Sequence, residues 1–388
     1  MGKEYQICRR CVMDTSAIDI TFNKEGICNY CSDFLVRYQP MQQKNADKKE
    51  KELNEFINTI KITGKGKRYD CIIGLSGGVD SSWALVQAVK CGLRPLAVHM
   101  DNGWNSELAQ NNIANLVRIL KVDLYTHVID WPEYKGLMQA FFDADVIDVE
   151  LLYDNAMLGV NYKLAAKYGI KYILAGTNQA TEGMALPKRW NWFKFDKKNI
   201  KMISQKMGGP KLNTFPAFST IDFVRFEFVK KIHWISFLDF FEYNKNEVLD
   251  ALEEGYGYHR YPFKHYESIF TRFYQGYILP TKFGVDKRLL HLGTLVASGQ
   301  MTREEALNLL KIPAFLSEQL LKDDTEYFLK KMGWSKEQFS DYLSRPEKPH
   351  ELYGSEKGLW DWFFKDGEER KLYKMLVNLY RFLKKSGK

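Results

Sequence analysis

The stretch that most constrains the fold is YDCIIGLSGGVDSSWALVQAVKCG, residues 69–92. An apolar run typical of a buried strand stops on Ser-Gly-Gly, passes through Asp80 and continues with the apolar spacing of an amphipathic helix. The same alternation recurs through LRPLAVHMDNG, LAQNNIANLVRIL, DLYTHVID and KYILAGTNQ. Strands that alternate with helices of this length predict an α/β fold with a mostly parallel, doubly wound sheet.

Ligands bind such sheets beyond the carboxyl ends of the strands, where Ser76, Asp101 and Thr177 are predicted to lie.

Three known motifs could explain the turn at Ser76. A Walker A loop fails because the chain has no lysine in the sixteen residues before Lys90. The five residues from Gly74 satisfy the G-x-S-x-G pattern of serine hydrolases, but that turn normally follows several strands of the sheet. Here only a cysteine-rich segment and one helix precede it.

The third motif is an anion-binding loop. Its small residues let the backbone approach phosphate oxygens, and the next helix points free N–H groups at them. Asp80 could hold Mg²⁺, and the serines add hydroxyl donors. A turn shaped only for helix packing does not explain the aspartate and the serines together. The sequence therefore predicts a phosphate site at Ser76, Gly77, Gly78, Asp80, Ser81 and Ser82.

Four of the six cysteines form a second pattern, CRRC followed sixteen residues later by CNYC. ITFNKEGIC between the pairs predicts two short strands and a polar turn that bring the pairs together. Cys8, Cys11, Cys28 and Cys31 would then hold structural Zn²⁺, because four thiolates leave no open position for catalysis. An iron–sulfur cluster remains the alternative.

The predicted organisation has four parts: a cysteine module at 1–35, a connecting helix and loop at 36–68, an α/β ATP-binding domain at 69–260, and a substrate-binding block with a helical C-terminal region at 261–388. Residues 183–220 within the third part show no clear period and predict an irregular insertion, a lid or a docking surface. Thr302 and Glu305 form a capping-box pattern.

The net charge of +8 favours polyanionic ligands such as nucleotides and nucleotide sugars, although a solvated basic surface explains it equally well. The N-terminus shows no export signal, and Arg225, Glu227, Lys230 and Lys231 interrupt the most apolar segment, residues 222–241. A cytoplasmic protein without a membrane partner is expected.

A strand that ends in S-G-G-x-D-S resembles the pyrophosphate-binding loop of PP-loop ATP pyrophosphatases. With the cysteine pattern, VHMDNGWNSE, AGTNQATEG and the long block from YPFKHYESIF to MTREEAL, the chain resembles over nearly its whole length the N-acetyl sugar amidotransferase family of bacterial lipopolysaccharide O-antigen and flagellin-glycan biosynthesis. This resemblance implies that ATP adenylates an acetamido group of a nucleotide-linked sugar, expected to be a UDP-diacetamido uronic acid. Ammonia then converts the adduct to an acetamidino group, and AMP and pyrophosphate leave. The implied cofactors are ATP, Mg²⁺ and structural Zn²⁺.

The resemblance also implies residue roles, although each charged residue of the late block could instead belong to a structural ion pair. ATP-binding roles fall on the loop residues from Ser76 to Ser82 named above and on Asp101, Asn102, Gly176 and Thr177. Catalytic roles fall on Asp80, Glu182, Lys282 and Arg288. Substrate-binding roles fall on Glu267, Arg272, Lys282, Asp286 and Lys287.

Ammonia needs a source, and residue 2 is glycine rather than an N-terminal nucleophilic cysteine. Cys71 and Cys91 are expected to be small buried residues. The resemblance therefore implies a separate glutaminase subunit like that of histidine biosynthesis. The alternative function, a PP-loop tRNA sulfurtransferase, would need further cysteines near the ATP site. A nucleic-acid-binding role for KRWNWFKFDKK would leave the loop without a purpose, so no nucleic-acid partner is expected.

Overall fold

The computed structural model describes residues 4–262, 264, 266–315 and 317–364; the end of the predicted C-terminal region, 365–388, lies outside them. The strands are β1 Cys71–Gly74, β2 Pro95–Asp101, β3 Asp123–Val128, β4 Tyr172–Ala175 and β5 His233–Ser236. The helices are α1 Asn29–Gln42, α2 Ala46–Gly64, α3 Val79–Lys90, α4 Glu107–Leu120, α5 Trp131–Asp143, α6 Leu151–Lys167, α7 Gln179–Glu182, α8 Lys197–Lys206, α9 Thr220–Val224, α10 Lys245–Tyr256, α11 Ile269–Phe273, α12 Leu279–Phe283, α13 Arg288–Ala297, α14 Arg303–Lys311, α15 Glu318–Met332, α16 Lys336–Ser344 and α17 Lys357–Phe364. Short π-helical turns occupy Arg225–Val229 and Tyr274–Ile278, and 3₁₀ turns occupy Phe237–Phe240 and His350–Tyr353.

The five strands form one parallel sheet in the order β3-β2-β1-β4-β5. Central β1 places Ile73 opposite Ala97 of β2 on one side and Leu174 of β4 on the other. The chain therefore winds outward in both directions from β1, and the carboxyl ends of β1 and β4 flank the crevice where such sheets bind ligands. The predicted parallel α/β fold is confirmed, and the first four strands are those that the sequence predicts.

Local sequence explains where the elements begin and end. The apolar run of β1 is buried on both faces, as expected for a central parallel strand. Helix α4 begins where the Ser106 hydroxyl accepts the N–H of Ala109 at 3.2 Å. The predicted capping box is confirmed, because the Glu305 carboxylate accepts the N–H of Thr302 at 2.8 Å at the start of α14.

The insertion at 183–220 is more ordered than its sequence predicts. It contains α8, and the Asn199 amide of that helix donates to the carbonyls of His350 at 2.9 Å and Gly354 at 2.7 Å. The Glu356 carboxylate accepts the backbone N–H groups of Lys198 at 3.2 Å and Thr220 at 2.7 Å. The segment is thus fastened to the 3₁₀ turn near the C-terminus rather than forming a free lid.

The cysteine module sits on the C-terminal helices. Val12 packs with Leu292 and Leu295 of α13, and the Arg303 guanidinium of α14 donates to the carbonyl of Cys8 at 2.9 Å. Only isolated antiparallel bridges form where the sequence predicts two strands in the module. Helix α1 crosses residue 35, and the division into four parts stays a prediction. Within the part of the chain that the structure describes, no helix has both the length and the apolar character required to cross a membrane.

Candidate active site

The loop between β1 and α3 has a shape that its glycines and serines fix. Gly77 adopts a φ of +85°, and a Cβ at this position would lie 2.9 Å from the carbonyl oxygen of Ala109. Only glycine therefore fits there. The Ser76 hydroxyl accepts the N–H of Gly78 at 3.2 Å and lies 3.1 Å from the hydroxyl of Ser81. The N-cap of α3 is Gly78, so no side chain caps the first-turn N–H groups of this helix. That arrangement leaves them available to an anion.

The loop after β4 lies directly against the start of α3. A Cβ on Gly176 would approach the carbonyl carbon of Asp80 and the amide nitrogen of Ser81, both to 2.6 Å. Gly176 therefore permits close backbone packing, which is a different role from the predicted contact with ATP. Its neighbour Thr177 does line the cavity described next, with its hydroxyl 2.9 Å from that of Ser236.

A cavity of about 650 Å³ opens at these strand ends. The predicted site residues in its wall are Ser76, Asn102, Thr177, Glu182, Glu267, Arg272, Lys287 and Arg288. The predicted residues outside its wall are Gly77, Gly78, Asp80, Ser81, Ser82, Asp101, Gly176, Lys282 and Asp286. The cavity therefore joins the phosphate loop to the late block of the sequence, as the predicted active site requires.

Backbone pairing brings the late block to the strand ends. Ser106 donates its N–H to the carbonyl of Glu267 at 2.9 Å, and Ile269 donates to the carbonyl of Trp104 at 2.8 Å. The Tyr261 hydroxyl donates to the carbonyl of Gly77 at 3.0 Å. Since these bonds join the loops after β1 and β2 to residues 261–269, the side chain of Glu267 faces the same cavity as Ser76.

Carboxylates and lysines cluster beside the phosphate loop. Asp80 accepts a hydrogen bond from the Tyr243 hydroxyl, and the Lys264 ammonium lies 2.5 Å from the Glu182 carboxylate. Burial raises the pKa of Asp80, and the negative charge of Glu182 raises it further. Burial opposes the charged form of Lys264, but Glu182 and Asp80 outweigh it and raise the pKa of this lysine. Two carboxylates that disfavour each other's charge suit a divalent cation with oxygen ligands.

Asp101 and Ser82 serve their own segments. The Asp101 carboxylate accepts the N–H of Gly103 at 2.8 Å and the amide of Asn105 at 3.2 Å, which shapes the loop after β2. The Ser82 hydroxyl is buried, with no hydrogen-bond partner among the described groups. The ATP contacts predicted for both residues stay predictions.

The catalytic and substrate-binding roles predicted for Lys282 are wrong. Its side chain is fully buried, and its ammonium lies 3.2 Å from Asp145 and donates to the carbonyls of Tyr342 at 2.6 Å and Arg345 at 2.7 Å. This lysine joins α12 to α16 and has no path to the cavity. Its charge and its position in the sequence did not indicate which way the side chain points.

Other late-block residues divide between the cavity and its supports. Arg272 lines the cavity while its guanidinium holds Asp324 through bonds of 2.7 and 2.6 Å. Asp286 accepts the backbone N–H of Arg288 at 2.9 Å and fixes the Arg288 guanidinium. Asp286 is thus a support for a cavity residue rather than a contact of its own.

Several cavity residues carried no recognised sequence signal. They are Asn105, Glu150, Tyr153, Asp154, Lys194, Lys264 and Gln275. Glu150 and Asp154 stand one helical turn apart at the start of α6, a spacing that could have revealed a shared face. Lys194 reaches the cavity from the insertion, whose sequence showed no period. Gln275 lies in the π-helical turn Tyr274–Ile278, a form that often marks functional sites.

The cysteine cluster matches a tetrahedral metal site. All four cysteines are buried, and their ligand atoms lie within 4.8 Å of one another. The Sγ atoms of Cys8 and Cys31 are 3.9 Å apart, and those of Cys11 and Cys28 are 3.8 Å apart. Four sulfurs at the usual Zn–S distance are separated by about 3.8 Å. The donor set thus fits a structural metal ion that this module would hold away from the cavity.

The parallel sheet, the Ser-Gly-Gly loop after β1 and the four-cysteine cluster define an α/β protein with a glycine-rich loop at the end of its central strand and a separate candidate metal site. Residues 267–365 match a family described as "LPS biosynthesis protein WbpG-like, C-terminal domain". We call residues 267–365 the WbpG-like segment. This match confirms over those residues the predicted resemblance to a family of lipopolysaccharide biosynthesis.

Other similarities are partial or distant. A stretch of 120 residues is 37% identical to an uncharacterized protein of Methanocaldococcus jannaschii, and it covers 30% of this chain and 40% of that protein. An NMN synthetase from Francisella tularensis is 15% identical, with a TM-score of 0.29 over 57% of this chain and 99% of that one. An NH3-dependent NAD synthetase from Campylobacter jejuni is 14% identical, with a TM-score of 0.30 over 71% and 100% of the two chains.

Proposed function

We propose that this protein is an ATP-dependent amidotransferase that converts an acetamido group of a nucleotide-linked sugar to an acetamidino group, with a UDP-diacetamido uronic acid as the expected substrate. One observation carries the proposal: the phosphate loop and the WbpG-like segment both contribute to the wall of one cavity. Ser76 contributes from the loop, while Glu267, Arg272, Lys287 and Arg288 contribute from the WbpG-like segment.

The reaction needs both parts of this cavity. An amide oxygen is a poor leaving group, and attack of that oxygen on the α-phosphorus of ATP makes it a good one as AMP. The Ser76 loop and the uncapped start of α3 would hold the departing pyrophosphate. The two guanidinium groups, Arg272 and Arg288, are fixed by Asp324 and Asp286 and would offer preorganised donors to phosphate or carboxylate oxygens.

Two metal ions support this function. Mg²⁺ would be held by Asp80 and Glu182, which lie at the phosphate loop, and would neutralise phosphate charge there. Zn²⁺ would be held by the four cysteines and would stabilise the module that packs on α13. Lys287 and Arg288 line the cavity from the start of α13. The zinc module packs against the same helix and would therefore hold these two residues in position.

Ammonia would come from a separate glutaminase subunit. Cys71 is buried in β1, Cys91 lies at the far end of α3, and the part of the cavity wall that the structure describes contains no cysteine. The chain offers no thiol there for glutamine hydrolysis. The same observation counts against the tRNA sulfurtransferase, which would need a thiol near the activated atom to carry sulfur.

The test is product analysis with purified protein, Mg-ATP, ammonium chloride and a panel of UDP- and CMP-linked acetamido sugars. We expect AMP and pyrophosphate with one sugar only, together with a sugar product one mass unit lighter, because NH replaces oxygen. Ser76→Ala should reduce this turnover, and Ser344→Ala is the matched control, since the Ser344 hydroxyl bonds to the carbonyl of Asp341 in α16. ADP as the sole nucleotide product, or turnover that requires tRNA, would refute the proposal.

A further inference from the structure

Lys194, a lysine of the cavity wall, forms ion pairs with two carboxylates. The Lys194 ammonium lies 2.6 Å from Asp148 and 2.9 Å from Asp154. Lys194 belongs to the insertion, whereas Asp154 lies in the first turn of α6 and Asp148 just before this helix. The three side chains form a carboxylate–ammonium–carboxylate chain that ends at the cavity.

The two carboxylates have different surroundings. The Asp148 side chain is 2% exposed, and its oxygens accept the backbone N–H groups of Trp192 at 2.6 Å and Leu151 at 3.1 Å besides the bond from Lys194. The Asp154 side chain is 39% exposed and lines the cavity, while Asp148 does not. Asp148 therefore fixes Lys194 in place, and Asp154 is the one of the two carboxylates that a substrate can reach.

The surroundings of the two aspartates shift their pKa values in opposite directions. Burial raises the pKa of Asp154, and the negative charges of Asp148 and Glu150 add to this effect, which Lys194 only partly offsets. Burial also acts on Asp148, but Lys194, Lys287 and the N–H donor of Trp192 outweigh it and hold the pKa of Asp148 below its usual range. Surroundings that shift the pKa values of two neighbouring carboxyl groups in opposite directions are typical of acid–base pairs.

Three other titratable groups near Asp154 in the cavity wall are Tyr134, Glu150 and Tyr153. Burial and the charge of Asp154 raise the pKa of the Tyr153 phenol, which is therefore a donor, and burial raises the pKa of Tyr134 as well. Glu150 is held by the Gln275 amide at 3.1 and 2.8 Å and by the Lys287 ammonium at 3.0 Å. Three donor contacts therefore already bind its two oxygens.

We propose that Asp154 is the group that takes a proton from the incoming ammonium ion, a role that rests on the amidotransferase reaction proposed above. An N–H bond of ammonium breaks as an O–H bond forms on Asp154. The amide nitrogen releases its N–H proton to water as the adenylate forms, which leaves a neutral imidate. The freed ammonia adds its lone pair to the imidate carbon, and one of its protons passes to the imidate nitrogen. The C–O bond then breaks, its electron pair leaves on AMP, and the amidinium product departs. Asp154 returns its proton to water.

The reaction has two half-reactions, adenylation of the amide and formation of the amidine, and this assignment gives Asp154 a role only in the second. Adenylation of the amide requires no ammonium, so Asp154→Asn should leave sugar-dependent exchange of pyrophosphate into ATP within about twofold of the parent protein. Formation of the amidine at pH 7 should fall by about 100-fold or more, the usual contribution of a general base. The deficit should shrink as pH rises, because free ammonia then no longer has to be generated at the site.

Two further variants make the test specific. Asp143→Asn is the matched control, since burial raises the pKa of Asp143 too, yet this residue lies on α5 outside the cavity wall. Both of its half-reactions should be unchanged. In Lys194→Met the charge that lowers the pKa of Asp154 is gone, so the rise of amidine formation with pH should move to higher pH.

The experiment uses the full zinc-loaded chain, Mg-ATP, ammonium chloride and a UDP-linked diacetamido uronic acid, with thermal unfolding to confirm that each variant is folded. If the parent protein shows no sugar-dependent exchange, the proposed function fails, and this inference fails with it. If the parent protein makes the amidine but Asp154→Asn keeps its rate, or loses the same factor at every pH, only the proton-acceptor role of Asp154 is overturned.

Discussion

Replacing Gly77 by alanine tests the geometry of the phosphate loop. A left-handed φ costs a residue with a Cβ about 1 to 2 kcal/mol. The new Cβ would also lie 2.9 Å from the Ala109 carbonyl oxygen and 3.1 Å from the Ala109 Cα, both backbone atoms of α4 that cannot rotate away. Overpacking of this kind costs about 1 to 3 kcal/mol more. We therefore expect Gly77→Ala to lose about 2 to 5 kcal/mol of unfolding free energy and to displace the loop.

Gly66 supplies the matched control for this experiment. It adopts a φ of +77°, but a Cβ there would meet nothing within 4 Å. Gly66→Ala should therefore cost only the backbone part, about 1 to 2 kcal/mol, and should keep AMP formation. The measurements are urea unfolding with zinc present and AMP release at saturating sugar. If the two variants lose equal stability and keep equal AMP release, the close contact between the loop and α4 does not shape the site.

Three other predictions concern charge and metal. Cys8→Ser or strong chelation should remove one Zn²⁺ per chain, measured by elemental analysis, and lower the unfolding temperature, whereas Cys71→Ser should keep the metal. Lys282→Met should cost about 1 to 3 kcal/mol in urea unfolding, because two buried carbonyls lose their donor, while AMP release per folded molecule stays unchanged; a loss of release with stability intact would return Lys282 to the active site. The folded state holds the pKa of Asp80 above its unfolded value, so the stabilising effect of its protonated form is complete only at low pH and is lost as pH rises. Asp80→Asn should therefore be more stable than the parent protein at pH 7 and lose this advantage below about pH 4, although it no longer forms AMP. A stability difference that is constant across this range would contradict the assigned shift.

The sequence predicted those parts of the fold that local chemistry determines. Apolar runs identified the first four strands, and the glycines and serines after β1 identified the loop. The spacing of the cysteines identified the four-cysteine cluster. Strand β5 escaped because His233–Ser236 lies within a long aromatic and charged segment that the structure divides into a helix, a π-helical turn, a strand and a 3₁₀ turn. Short edge strands of this kind are selected by pairing with β4, which no local pattern records.

The site was predicted unevenly for a related reason. Loop residues such as Ser76 and Thr177 follow strand ends, so their location follows from topology. Residues on helices depend on packing across long sequence separations. Lys282 and Lys287 are five positions apart and equally charged, yet Lys282 points into the interior between α12 and α16, while Lys287 reaches the cavity and Glu150. Asp154 and Lys194 meet only because the insertion folds back over α6, a contact that neither segment reveals alone.

The packing of the cysteine module against α13 and α14 has a consequence for synthesis of the chain. Cys8 receives its hydrogen bond from Arg303, a residue 295 positions later. At 5 to 20 residues per second, a ribosome needs roughly 15 to 60 s to make the intervening chain. During that interval the module must persist without α13 and α14, with Val12 deprived of its apolar partners. Metal bound by the cysteine module during synthesis would hold the module in shape until α13 and α14 are made.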